Sequence, residues 1–113
     1  MNIDATKIQG GITLIRLAGR MDVEGTSAIE TRFTAHAVSD GAAVVLDMAG
    51  VDFLSSYGIR ALMLVAKALR QRGGAMALMC PQDAVRKVLE TSGVDQLIPL
   101  GDSLSEDKAA LGS

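Results

Sequence analysis

Residues 43–72, AVVLDMAGVDFLSSYGIRALMLVAKALRQR, change their hydrophobic period part-way along. Ala43 to Leu46 is a short, Val-rich apolar run of the kind found in strands buried on both faces, and Asp47 closes it. Gly50, Asp52 and a pair of serines then mark a loop. From Ile59 onward the apolar residues Leu62, Met63, Ala66 and Leu69 fall at helical spacing. The stretch predicts a strand, a loop and a helix in succession.

Ser55 and Ser56 stand where the period changes. Serine is favoured there because its oxygen can accept from the unpaired N–H groups of a helix's first turn. The same helix end carries partial positive charge and welcomes phosphate or carboxylate. Three duties are therefore open to such a serine: cap, nucleophile or phosphoacceptor. Spacing alone favours the cap.

Outward from this stretch, residues 3 to 8 and 12 to 18 read as two strands joined at Gly10-Gly11, a pair suited to the positive φ of a tight hairpin. Gly19 to Asp22 breaks the second strand. From Val23 to Val38, Ile29, Phe33 and Ala37 recur every four residues and predict a helix, capped either by Asp22 or through a Ser27-x-x-Glu30 box. Ser39-Asp-Gly41 stops it. Beyond the central helix, ended by Gly73-Gly74, Ala75 to Met79 reads as a buried strand. Pro81 and Asp83 open another helix, with Val85, Val88 and Leu89 on one face and Gly93 as its stop. Leu97 to Leu100 can add only an edge strand, because Pro99 lacks an N–H. Ser103-x-x-Glu106 begins a last short helix ending near Leu111.

This order describes an α/β fold: a mixed, mostly parallel sheet of four to five strands with about four helices and an N-terminal β-hairpin. Periodicity does not say whether the helices cover one face or both. The central helix is apolar nearly all round, with Leu64 and Val65 off its main stripe, which implies cover on more than one side. A chain of 113 residues suits one domain, 1–113, able to bury about two thirds of its unfolded surface.

Charge and cysteine content narrow the chemistry. A net charge of -2 offers no electrostatic footprint for nucleic acid or anionic membrane. The opening MNIDATKIQGG lacks signal-peptide blocks, and no run is long enough to span a bilayer, so direct membrane insertion is not expected and a cytoplasmic location is. Cys80 is the only cysteine and is expected to be a buried, inert thiol. For an enzyme the catalytic groups are missing. Leu54-Ser-Ser-Tyr-Gly lacks the first glycine of a nucleophile elbow, and the only imidazole is His36, expected to be packed or on the surface of the first helix. Val-Val-Leu-Asp47 has no phosphate-binding G-x-x-x-x-G-K-[ST] to accompany it, and the scattered aspartates form no metal set. No cofactor is expected.

The run VVLDMAGVDFLSSYGIRALM resembles the central signature of the STAS family, typified by bacterial anti-sigma factor antagonists. There a strand ending in Leu-Asp leads through a loop to an Asp/Ser-Ser-x-Gly turn opening a helix. Leu17-Ala-Gly-Arg-Met-Asp22 resembles the family's L-x-G-x-x-D turn, and Thr91-Ser-Gly-Val through Leu104 its closing stretch. The resemblance implies a phosphorylation-switched interaction module without catalysis. It implies that Ser56 is the phosphoacceptor, with Ser55 the alternative, Ser55 standing where Asp is frequent. Its implied partners are an anti-sigma factor serine kinase of the histidine-kinase-like ATPase type and a serine phosphatase. Partner contact falls to Asp22, Asp47, Ser55, Tyr57, Gly58 and Arg60. Asp22 is otherwise a cap, Asp47 is structural first, and Tyr57 is either a partner anchor or a ring packed on its own helix. The alternative within the same family is an unphosphorylated adaptor subunit of a membrane lipid-transport ATPase.

Overall fold

A computed structural model describes residues 1–38 and 43–102. Five strands form one sheet in chain order: β1 (Asn2–Ile8), β2 (Ile12–Met21), β3 (Ala43–Leu54), β4 (Ala75–Met79) and β5 (Leu100–Gly101). β1 and β2 are antiparallel and the remaining neighbours parallel, the mostly parallel sheet with an N-terminal hairpin that the pattern predicts. Gly10 and Gly11 take φ of 81° and 74° in the turn between β1 and β2, the left-handed values their pairing suggests.

Among the described residues, three helices, α1 (Val23–Val38), α2 (Ser56–Gln71) and α3 (Asp83–Thr91), connect the parallel strands. The fourth expected helix, at residues 103–111, and the expected helix stop at 39–41 lie outside the described residues. Since strand order follows chain order, every crossover steps the same way, and right-handed connections then place all three helices on one face. The core agrees. Ile29 and Phe33 of α1, Leu62 and Leu69 of α2, and Val85 and Leu89 of α3 pack with Ile15, Leu17, Val44, Leu46 and Leu78 of the sheet. The intervening residues Ile12, Leu14 and Val45 form a separate, smaller cluster on the opposite face. Val65 is buried, but Leu64 is 51% exposed, so α2 is covered less completely than its composition implies.

Two strands run further than expected. β2 continues through Gly19 to Met21, and β3 through Asp47 and Gly50 to Leu54. Their register explains the misreading: Arg16 pairs with Asp47, Ala18 with Gly50, Gly19 with Val51 and Arg20 with Phe53, so β3 carries extra residues at two places. Each is a bulge, which bends the strand and breaks its two-residue alternation. Burial from the first bulge onward falls on Met48, Val51 and Leu54, every third residue, a period that imitates a loop. At the far edge, a 3-10 turn at Val94–Gln96 precedes the expected strand, of which only Leu100 is paired. β5 begins only after Pro99, whose carbonyl accepts from the Leu78 N–H at 2.8 Å. Among the described residues, no helix is long and apolar enough to cross a membrane.

Candidate functional site

The bulged end of β3 delivers the chain to α2 beside the last residue of β2. Ser55 is extended, at φ -89° and ψ 170°, and caps the helix. Its N–H donates to the Met21 carbonyl at 3.0 Å, and its hydroxyl donates to the same oxygen at 2.5 Å. The hydroxyl oxygen also accepts from the Gly58 N–H at 3.2 Å. Ser55 is thereby tied to both the preceding strand and the helix it opens. Ser56 differs in every respect. It is the first helical residue, it is exposed, and its hydroxyl bonds to no described residue. The two adjacent serines that spacing left interchangeable thus have different surroundings: one hydroxyl is consumed by the fold and the other faces solvent.

Gly58 allows this arrangement for a steric reason. A β carbon there would lie 2.9 Å from both Met21 Cβ and Met21 O and 2.8 Å from Leu54 Cδ1. The first turn of α2 can therefore rest against β2 only with glycine at this position.

Tyr57 leans away from its own helix. Its hydroxyl accepts from Ser27 Oγ at 3.2 Å and donates to Glu30 Oε2 at 3.3 Å, joining the start of α2 to α1. The ring is therefore not packed on its own helix alone, one of the two alternatives the sequence offered. Ser27 and Glu30 are also corrected: they do not box the end of α1 but hold this ring. The cap of α1 is Asp22, whose Oδ1 accepts from the Gly25 N–H at 2.8 Å. That hydrogen bond is the main reason the Asp22 carboxyl lies below its ordinary pKa; desolvation opposes it, and the Arg20 guanidinium, 3.5 Å from Oδ2, lowers it further.

Arg20 and Phe53 are surface features that sequence reasoning missed. The guanidinium lies 4.2 Å from the centroid of the Phe53 ring, and that ring is 39% exposed just before the serine pair. Phe53 lies at the second bulge, where it pairs with Arg20, inside the stretch that the sequence reads as loop. Asp47 sits on the far side of the bulges. Its Oδ1 accepts from the Ala49 N–H at 2.9 Å and its Oδ2 lies 3.7 Å from Arg16 Nε, the structural duty expected first of it. Gln82, ahead of α3, donates to the Ala49 carbonyl at 2.8 Å and fastens the same bulge from its other side. Asp22, Ser55, Tyr57 and Gly58 are gathered around Met21 and the start of α1, whereas Asp47 is not. Arg60 is exposed on α2, one turn beyond Ser56.

Two other expectations resolve plainly. His36 is exposed in the last turn of α1. Cys80 is half-buried rather than buried, since it follows β4 at a positive φ of 56° and its thiol donates to the Asp102 carbonyl at the surface.

Comparison with known proteins adds a lineage. A family model described as the STAS domain matches residues 4–107. BtrV of Bordetella bronchiseptica, named as an anti-sigma factor antagonist, is 33% identical over 110 residues, covering 97% of this chain and 94% of that protein. A STAS domain protein from Planctomyces limnophilus superposes with a TM-score of 0.84 at 23% identity, over 98% of each chain. The Bacillus cell fate determinant SpoIIAA matches in its unphosphorylated form, with a TM-score of 0.76 at 19% identity over 93% of this chain and 91% of that one. Its phosphorylated form matches with 0.68 at 20% identity, over 93% and 95%. At these identities the two solved proteins speak for the fold alone.

Proposed function

We propose, from the premise that this chain belongs to the STAS domain family, that it is an anti-sigma factor antagonist switched by phosphorylation of Ser56. The observation that carries the proposal is the division of labour between the two serines. Ser56 alone presents an exposed hydroxyl at the helix start, while Ser55 holds the turn in place. The chain acts by binding and performs no catalysis of its own.

Unmodified, it occupies an anti-sigma factor with serine-kinase activity, of the histidine-kinase-like ATPase type, and so frees a sigma factor. In the modifying step a bond forms between Ser56 Oγ and the γ-phosphorus of ATP as the bond to ADP breaks, and the hydroxyl proton passes to a base of the kinase. The product gains about 1.5 to 2 negative charges. At an exposed helix N-terminus that charge is favourable by about 0.3–1 kcal/mol, so the fold tolerates it. The partner does not. A surface that packed a neutral hydroxyl must now desolvate or pair a dianion, which costs affinity. A serine phosphatase reverses the step. Asp22, Tyr57, Gly58 and Arg60 frame the contact surface, Asp22 and Gly58 by shaping the turn.

Intact-mass measurement after incubation with the cognate kinase and ATP tests the assignment, with a mass gain of one phosphate expected on the native chain and none on Ser56→Ala. A phosphate that still appears on Ser56→Ala refutes it. Co-purification with a transporter ATPase in place of a kinase would move the protein to the adaptor class.

A further inference from the structure

We infer that Arg60 is the intramolecular counterion of a phosphoryl group on Ser56, so that modification also withdraws a positive charge from the surface the partner meets. The inference rests on the phosphoacceptor reading of Ser56 and deepens it. α2 is helical from Ser56 onward, and residues four apart on a helix are neighbours, with β carbons about 5–6 Å apart. Ser56 and Arg60 have this spacing, and both are exposed. Their order, anion before cation along the chain, is the favourable one for such a pair. A guanidinium also presents a planar fork of N–H donors that matches two oxygens of one phosphoryl group.

Of the charged side chains near the start of α2, Arg20, Asp22, Glu30 and Asp52 are committed elsewhere or carry the wrong sign. Arg20, at the end of β2, lies over Phe53 and pairs with Asp22, which itself caps α1. Glu30 of α1 accepts from Tyr57. Asp52, exposed on β3 four residues before Ser56, repels a phosphate. Arg60 makes no ion pair and no side-chain hydrogen bond with any described residue. In the unmodified chain its charge is open to a carboxylate of the partner. Once Ser56 is modified, that charge is satisfied within the chain. The switch therefore has two arms: a negative charge gained and a positive one removed.

The test uses phosphoserine inserted at position 56 during translation by suppressor decoding, so that no kinase is involved. The phosphorus resonance is followed through a pH titration in the native sequence and in Arg60→Gln, with far-UV circular dichroism confirming that both are folded. The phosphoryl group of the native sequence should titrate lower by about 0.3 of a pH unit, the value a helix pair of this spacing converts to. Arg60→Lys should keep part of that difference, and high salt should shrink it. Superimposable curves for the native and Arg60→Gln chains overturn the role of Arg60 whatever the kinase does. Failure of the kinase to modify Ser56 is read separately, in the mass measurement on the unmodified chain.

Discussion

Exchanging each of the two adjacent serines for alanine should give opposite results in stability and in phosphorylation. Ser55→Ala removes a helix cap, the hydroxyl that accepts from the Gly58 N–H at 3.2 Å, which is worth about 1 kcal/mol. It also removes the hydrogen bond donated to the Met21 carbonyl at 2.5 Å, worth about another 1 kcal/mol. The loss should not rise much beyond that sum, because the Met21 carbonyl keeps the Ser55 N–H at 3.0 Å and is not left unpaired. The expected total is about 2 kcal/mol, or a fall in Tm of about 8 °C for a domain of this size. Ser56→Ala removes an exposed hydroxyl without a described partner and should stay within about 0.5 kcal/mol of the native chain. Urea denaturation followed by far-UV circular dichroism measures both, and equal slopes confirm that the midpoints compare like with like. Phosphorylation should show the reverse order: retained in Ser55→Ala, though slowed, and abolished in Ser56→Ala. Equal destabilisation by the two variants, or a larger loss from Ser56→Ala, would refute the division of labour on which the proposed switch depends.

Three further outcomes follow from the same geometry. Gly58→Ala gains about 1 kcal/mol of helix propensity but forces a β carbon to within 2.9 Å of Met21 Cβ and Met21 O; overpacking of about 3 kcal/mol outweighs the gain, and equilibrium unfolding should show a net loss of about 2 kcal/mol. Tyr57→Phe unlinks Ser27 and Glu30 from α2 and should cost about 0.5–1 kcal/mol in the same measurement, since both partners can turn to water; a larger loss of partner affinity than of stability would show that the hydroxyl acts in docking. For Asp22 the sign is set by a folded-state pKa below the unfolded one, owing first to the Gly25 N–H and then to Arg20. Its charge contributes stability that is present above the unfolded value and lost as pH falls through the folded one. Asp22→Asn keeps an oxygen for the cap but no charge, so the stability difference between the two chains should close on acidification; a difference unchanged between neutral and acid pH would contradict the assignment.

Local patterns in the sequence locate most of the elements and lose others for identifiable reasons. Ile29, Phe33 and Ala37 mark α1 because each touches the same sheet face, and the bounds they predict, Val23 to Val38, are those observed. Gly93 ends α3 with φ of 81°, and Gly73 follows α2 with φ of 80°, both as expected of glycine at such points. By contrast, the later halves of β2 and β3 are invisible to periodicity. A bulge is a relation between two strands, recorded in the pairing of Ala18 with Gly50 and of Arg20 with Phe53, and neither strand's sequence states it alone. That the three described helices share one sheet face is hidden for a similar reason, since it follows from strand order, which no local period carries.

The same distinction separates the parts of the site that were legible from those that were not. Serines at a change of period, a glycine two residues on and an aspartate before a helix are local signals, and Ser55, Ser56, Gly58 and Asp22 carry them. What sets Ser55 apart from Ser56 is the Met21 carbonyl, 34 residues away, and what claims Tyr57 is a pair on α1, 27 and 30 residues away. On the proposed reading, partner-facing chemistry on this surface is thus a remainder. The fold takes the hydroxyls and charges it can reach from a neighbouring element, and it leaves Ser56 and Arg60, exposed on successive turns at the start of α2, without a described partner. A phosphoacceptor needs that exemption, because a hydroxyl already bonded to the fold must break those bonds before a kinase can use it. On that reasoning, moving the acceptor one residue earlier costs more than a change of position: phosphorylation at Ser55 would remove the cap of α2 and its hold on β2, turning a surface switch into local unfolding.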